Sequence, residues 1–166
     1  MTTTVRKWYE WFTSPRGQES EEIQRGYQHC PSRVLLGEDD HDLRLLVSRV
    51  LQRDGYEVIE ACDGMEILDQ LQDALFVPIK MPDVIILDIL MPKYSGLSVL
   101  TALRRANWFT PVIVMSAIGE ETICQKARDL GAVAFFKKPF DMDELRTAVV
   151  NASLRNSRAK TISELD

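Results

Sequence analysis

The chain has 166 residues, 45% of them hydrophobic and 27% charged, with a formal net charge of −5. That size fits one domain with short extensions, and the acidic balance disfavours nucleic acid as the main partner. Scattered cysteines (Cys30, Cys62, Cys124) argue against a disulfide framework, and no apolar run approaches the ~18 residues of a membrane span or resembles a secretion signal, so a cytoplasmic location is expected.

Residues 1–32 read as an amino-terminal extension. Val5, Trp8, Tyr9 and Phe12 fall at i, i+3, i+4 and i+7, with Trp11 beside them, before Pro15 and Gly17 break the pattern. This stripe is either a short helix that packs on its own domain or is partly disordered, or a docking or homodimerisation element built from aromatic anchors. Its basic and acidic residues balance, so attraction to an anionic membrane is not favoured.

From residue 33 short apolar runs alternate with amphipathic stretches. Arg33–Gly37 predicts a first strand and Asp42–Gln52 a helix with Leu46, Val47, Val50 and Leu51 on one face, closed by Asp54-Gly55. Tyr56–Ala61 predicts a second strand and Gly64–Leu75 a second helix, with Ile67, Leu68 and Leu71 inward. Residues 75–82 are unusually apolar for a link; they extend that helix or form a small hydrophobic contact loop.

Val84-Ile85-Ile86-Leu87 then ends abruptly in Asp88. A run apolar on both faces suits a strand covered by helices on both sides. A third helix follows over Ser95–Ala106, a fourth strand over Pro111–Met115 and a fourth helix over Glu120–Leu130, closed by Gly131. Ala132–Phe136 predicts the fifth strand, and Asp141 with Glu144 starts a last helix to about Leu154. Residues 33–154 therefore predict a doubly wound α/β domain, a five-stranded parallel sheet with five helices; if its strands take the flavodoxin-like order 2-1-3-4-5, the first and third are neighbours. The polar tail 155–166 is too short for a DNA-binding or catalytic module.

Each unusual residue stands at the carboxyl end of a strand, where such folds bind ligands. The first strand ends in Glu38-Asp39-Asp40, the third in Asp88, the fourth in Ser116 and the fifth in Lys137-Lys138-Pro139. With the first and third strands adjacent, Glu38, Asp39 and Asp88 share a cleft. Two unit charges ~5 Å apart repel by roughly 3 kcal/mol at an effective dielectric of 20. A hard divalent cation with oxygen ligands, Mg²⁺ or Mn²⁺, relieves this; zinc lacks placed sulfur or imidazole ligands. A metal, the ammonium of Lys138 and the hydroxyl of Ser116 around Asp88 would hold phosphoryl oxygens while the carboxylate acts as nucleophile. Asp40 and Asp42 read instead as cap and surface carboxylates, and Lys137 and His41 as surface residues.

Gly37-Glu38-Asp39-Asp40, Leu87-Asp88-Ile89-Leu90-Met91-Pro92, Val114-Met115-Ser116-Ala117 and Lys138-Pro139-Phe140 resemble the four signature blocks of the response-regulator receiver domain of two-component signalling. The resemblance implies that Asp88 is the phosphoacceptor, that Glu38 and Asp39 are acidic Mg²⁺ ligands with Asp88 and the backbone carbonyl of Leu90, and that Lys138-Pro139 is cis. Ser116 is implied to follow the phosphoryl group and Lys138 to assist transfer. Phe135 falls at the switch aromatic; without a tyrosine hydroxyl, its coupling shifts toward packing. Partners implied are a histidine kinase or histidine phosphotransfer protein and an unidentified downstream protein, contacted through the fourth helix, fifth strand and fifth helix, with no direct nucleic-acid contact. A stand-alone receiver is expected, not an enzyme acting on a separate substrate.

Gly37, in place of a β-branched residue, predicts a looser strand end, and Ser95 replaces a common aspartate. Leu90 and Ile118, two residues past Asp88 and Ser116, are apolar and would hinder an attacking water, giving a long-lived phosphorylated form. Two rival classes are a Mg²⁺-dependent phosphohydrolase working through an aspartyl phosphate and a phosphorylation-independent pseudo-receiver. The first commonly has a second aspartate where this chain has Leu90; the second would not be expected to retain Glu38, Asp39, Asp88, Ser116 and Lys138.

Overall fold

Val84–Asp88 forms the central strand of a five-stranded parallel sheet, with every residue buried. A computed structural model of the chain describes residues 31–76, 81–117, 119 and 121–163, with the side chains of 75, 76 and 157–163 outside that description. In chain order the elements are β1 (Arg33–Gly37), α1 (His41–Arg53), β2 (Glu57–Ala61), α2 (Gly64–Phe76), β3 (Val84–Asp88), α3 (Gly96–Arg105), β4 (Val112–Ser116), α4 (Glu121–Asp129), β5 (Ala134–Lys137) and α5 (Met142–Ser163). The sheet order is β2-β1-β3-β4-β5, so the order of strands reverses between β1 and β3, which makes these two strands neighbours as the expected flavodoxin-like order requires.

Period-two alternation along the strands divides the core between two faces. Leu35, Ile85, Leu87, Val112 and Val114 pack with Ile67 and Leu71 of α2, Val99, Leu100 and Leu103 of α3 and Ala127 of α4. Val34, Leu36, Val84, Ile86, Ile113 and Met115 meet Val47 and Leu51 of α1 and Leu145, Val149 and Ala152 of α5. Each fully buried side chain of this size contributes ~1.5–3 kcal/mol of transfer free energy, which holds the strand ends in fixed register. That register sets Gly37 beside Leu87 and Asp88 beside Met115.

Several boundaries differ from the sequence expectation. Leu46 is 52% exposed, so the inward stripe of α1 is Val47 and Leu51 with Leu43 and Val50 half-buried. Ser95 is the N-cap of α3 rather than its first residue, its hydroxyl accepting from Ser98 N at 3.2 Å. β5 begins at Ala134 because Ala132 N donates to Ala127 O, completing the turn that Gly131 makes at φ 76°. α2 continues to Phe76, and Met81 packs half-buried against the α2–α4 core. α5 passes Leu154 and runs to Ser163, where a polar tail was expected. Residues 155–163 hold neither glycine nor proline, and polarity alone does not stop a helix. The aromatic stripe of residues 5–12, Cys30, Ile118 and positions 77–80 lie outside the described residues.

Candidate functional site

The strand ends bring Glu38, Asp88, Ser116 and Lys138 together. Glu38 follows β1 directly and is fully buried, its backbone N–H donating to Ala61 O at 3.1 Å. Asp39 beside it is exposed, and Asp88 closes β3 almost fully buried. Ser116, the last residue of β4, is buried, and its carbonyl accepts the Lys138 N–H at 2.8 Å. That bond fixes Lys138 just beyond β5, and the Lys138-Pro139 peptide that follows is cis.

Lys138 Nζ reaches across the cleft to both buried acids. It lies 2.6 Å from Asp88 Oδ2 and 2.8 and 2.7 Å from Glu38 Oε1 and Oε2. Burial works against the ammonium, but the hydrogen bonds to Asp88 and Glu38 outweigh it and raise the lysine's pKa. Burial also dominates at Glu38, whose pKa is pushed up to about 7; the Lys138 hydrogen bond opposes the rise and the Asp88 charge adds to it. The second Asp88 oxygen, Oδ1, accepts the Leu90 N–H at 3.1 Å, so the carboxylate is held from two sides.

The family model for the response regulator receiver domain matches residues 34–150 of this sequence. The chain belongs to the response-regulator receiver family. Among curated relatives, sporulation initiation phosphotransferase F of Bacillus subtilis is 33% identical over 117 residues, covering 70% of this chain and 90% of the relative. The transcriptional regulatory protein CpxR of Escherichia coli is 38% identical over 126 residues, covering 76% of this chain but only 50% of that regulator. Among solved structures, the chemotaxis protein CheY4 of Vibrio cholerae superposes with a TM-score of 0.65 at 30% identity, covering 74% of this chain and 99% of that one. The signal receiver domain of a putative Luxo repressor protein from Vibrio parahaemolyticus gives 0.73 at 26% identity, covering 80% and 98%.

Receiver domains generally bind Mg²⁺ through acidic residues, and this receiver carries a suitable group. Carboxylate oxygens of Glu38, Asp39 and Asp88 lie within 4.8 Å of one another. Glu38 Oε2 is buried and stands 2.7 Å from the Lys138 ammonium as an ion-pair contact, outside hydrogen-bond geometry, while the hydrogen bond itself goes to Oε1. Three carboxylates facing one ammonium leave a formal charge of −2, which a hard divalent cation offsets. The donor set therefore fits Mg²⁺.

Two contacts of the receiver site have no signature in the sequence pattern. Arg44 of α1 curls back so that its guanidinium donates to Glu38 O at 2.7 Å and Asp39 O at 3.5 Å, while Nε lies 3.4 Å from Glu60 Oε2. It clamps the acidic loop from below. Gly96 lies against the backbone of Asp88, its N–H donating to Ile89 O at 3.1 Å; a Cβ there would stand 2.2 Å from Asp88 O. Gly37 is similarly packed: a Cβ would stand 2.8 Å from Ile67 Cδ1 and 3.1 Å from Met91 Sδ. The strand end is thus filled by Ile67 and Met91 rather than loose, although Gly37 lacks the β-branched side chain expected there.

The remaining candidates separate cleanly. Asp40 caps α1, its carboxylate accepting from Asp42 N and Leu43 N at 2.9 and 3.0 Å, and the Leu43 bond leads in holding its pKa low. His41, Asp42 and Lys137 are exposed. Phe135 pairs with Val114 across β4 and β5 and is half-buried against the α2–α4 core, while Phe136 turns to the other face and meets Phe140 edge-on. Leu90 is 47% exposed. Among the described residues, no helix is long and apolar enough to cross a membrane.

Proposed function

We propose that Asp88 accepts a phosphoryl group from a phosphohistidine on a partner histidine kinase or histidine phosphotransfer protein. One Asp88 carboxylate oxygen forms the new P–O bond as the P–N bond to the donor imidazole breaks, and that ring retains the electron pair and takes up a proton. The observation that carries this reading is the Lys138 ammonium, 2.6 Å from Asp88 Oδ2 and bonded to Glu38. It orients the nucleophile and offers a positive charge to the equatorial oxygens. Glu38, Asp39, Asp88 and the Leu90 carbonyl would hold Mg²⁺, which when bound neutralises charge on the phosphoryl oxygens. Ser116 supplies a hydroxyl donor from the neighbouring strand.

Output follows from packing on the same strands. Ser116 and Phe135 sit one strand apart, so a shift of the hydroxyl toward the phosphoryl group frees space into which the Phe135 ring turns. The face formed by α4, β5 and α5 then changes for a downstream protein. The name of the sporulation phosphotransferase supports a transfer role, and the chain spans about half the length of the transcriptional regulators it matches. Incubation with acetyl phosphate and Mg²⁺ should add one phosphoryl group to the wild type by intact-mass measurement and none to Asp88→Ala. Rapid multiple turnover of acetyl phosphate would instead favour a phosphohydrolase.

A further inference from the structure

At the amino-terminal end of the sheet, remote from Asp88, a groove of about 520 Å³ opens among the segments leading into β4 and β5, the carboxyl ends of α3 and α4, and the distal part of α5. Phe109, Pro111 and Val133 form its apolar wall, with Phe109 71% and Val133 39% exposed. Arg104 and Arg155 frame it, and the Arg104 guanidinium lies 5.9 Å from the centre of the Phe109 ring. Arg104 is locked in place by donation to the carbonyls of Trp108, Leu130 and Gly131 at 2.6, 2.9 and 3.1 Å. A fixed guanidinium beside an exposed ring is a ready surface for further aromatic side chains.

The chain enters the domain beside this groove. Ser32 Oγ lies 3.3 Å from Ser153 Oγ of α5. One turn further along α5, Asn156 lines the groove and donates to Asp83 Oδ1 at 3.3 Å, while Asp83 Oδ2 accepts the Arg33 N–H at 2.9 Å. Ser32 therefore sits within one helical turn of the groove wall. Phe12 stands only twenty positions before Ser32, and a linker of that length has a root-mean-square reach of roughly 25 Å.

We propose that the aromatic stripe Val5, Trp8, Tyr9 and Phe12 of the same chain docks in this groove, against Phe109, Val133 and the two arginines. Tethering supplies an effective concentration on the order of millimolar, so a weak apolar and cation–π contact suffices. Charge is compatible: Glu10 can face Arg155, and Arg6 or Lys7 can face Asp129 on the groove wall. Docking there leaves the Asp88 cleft open, so the inference stands apart from the phosphoryl chemistry.

Amide hydrogen exchange on the full chain tests it. Residues 5–12 should exchange about tenfold more slowly in the wild type than in Phe109→Asp/Val133→Asp, independently of protein concentration. Slow exchange across Val84–Asp88 verifies that the variant remains folded. Hydroxyl-radical footprinting gives a second reading that leaves the domain unaltered: Phe109 should be oxidised several-fold faster in Trp8→Ser/Phe12→Ser. Unprotected residues 5–12 in the wild type, protection that survives the groove substitutions, or an unchanged Phe109 footprint would each overturn the proposal. Protection lost on dilution would overturn it in favour of a second copy.

Discussion

Gly96 lies so close to Asp88 that a Cβ on it would stand 2.2 Å from the Asp88 carbonyl oxygen and 3.2 Å from Ile89 Cα. The obstacle is backbone, which has no rotamer to yield. Gly96→Ala should therefore push the end of β3 out of register with β1, with an overpacking cost of about 1–3 kcal/mol. A urea titration reads the stability loss. Labelling by acetyl phosphate should slow by about tenfold, because a shift of a fraction of an ångström misaligns the nucleophile.

The buried pKa of Glu38, about 7 against an ordinary 4.5, sets a pH window. Because the folded value is raised, the native state holds this proton more tightly than the unfolded chain does. Its stabilisation is complete below the unfolded value and is lost as pH rises through about 7. Metal binding needs the carboxylate, so protons compete with Mg²⁺ in the same window. Mg²⁺ affinity should thus be about tenfold weaker near pH 6 than near pH 8, with equilibrium dialysis as the measurement. In Glu38→Gln the stability difference between those two conditions should shrink.

Lys138 keeps two buried carboxylates compatible with each other. Lys138→Met leaves them without their ammonium, and breaking such a pair costs about 2–4 kcal/mol after allowance for partial solvent access. Thermal unfolding without Mg²⁺ should show that loss, with part of it recovered on adding Mg²⁺. Labelling of Asp88 should fall by at least about a hundredfold, since a positioned charge of this kind typically contributes a few kcal/mol to the transition state.

The architecture was readable from sequence because it rests on local signals. Alternating apolar runs, the glycine-closed helices at Gly55 and Gly131 and the carboxylate ending β3 each act over a few residues. Glu38, Asp88, Ser116 and Lys138 converge because each ends or follows a strand of a sheet whose order was foreseen. Contacts that depend on distant packing left no such trace. Nothing in the spacing of Arg44 says that it clamps the Glu38 carbonyl, and nothing in Gly37 says that Ile67 fills its side. The length of α5 differs from expectation for another reason: a polar composition suggests a terminus, yet no helix breaker stands among residues 155–163.

Leu90 follows the acceptor by two residues and remains 47% exposed, so it can lie over the approach of water to a phosphorylated Asp88. Leu90→Asn replaces that apolar cover with a group able to hydrogen-bond an attacking water. Loss of the phosphoryl group should accelerate by about tenfold, in line with the usual effect of one positioned polar group. The wild type should hold its phosphoryl group for minutes or longer; a half-life of seconds would contradict the screening role.

Borohydride reduction reads an acyl phosphate on Asp88 directly. Such a bond is reduced to an alcohol, converting the labelled aspartate to homoserine, whereas free carboxylates do not react. After incubation with a phosphodonor and Mg²⁺, peptide mapping should find homoserine at position 88 alone, dependent on both the donor and the metal. Homoserine at position 39 instead, or none in a sample that carries the added phosphoryl mass, would contradict the assignment.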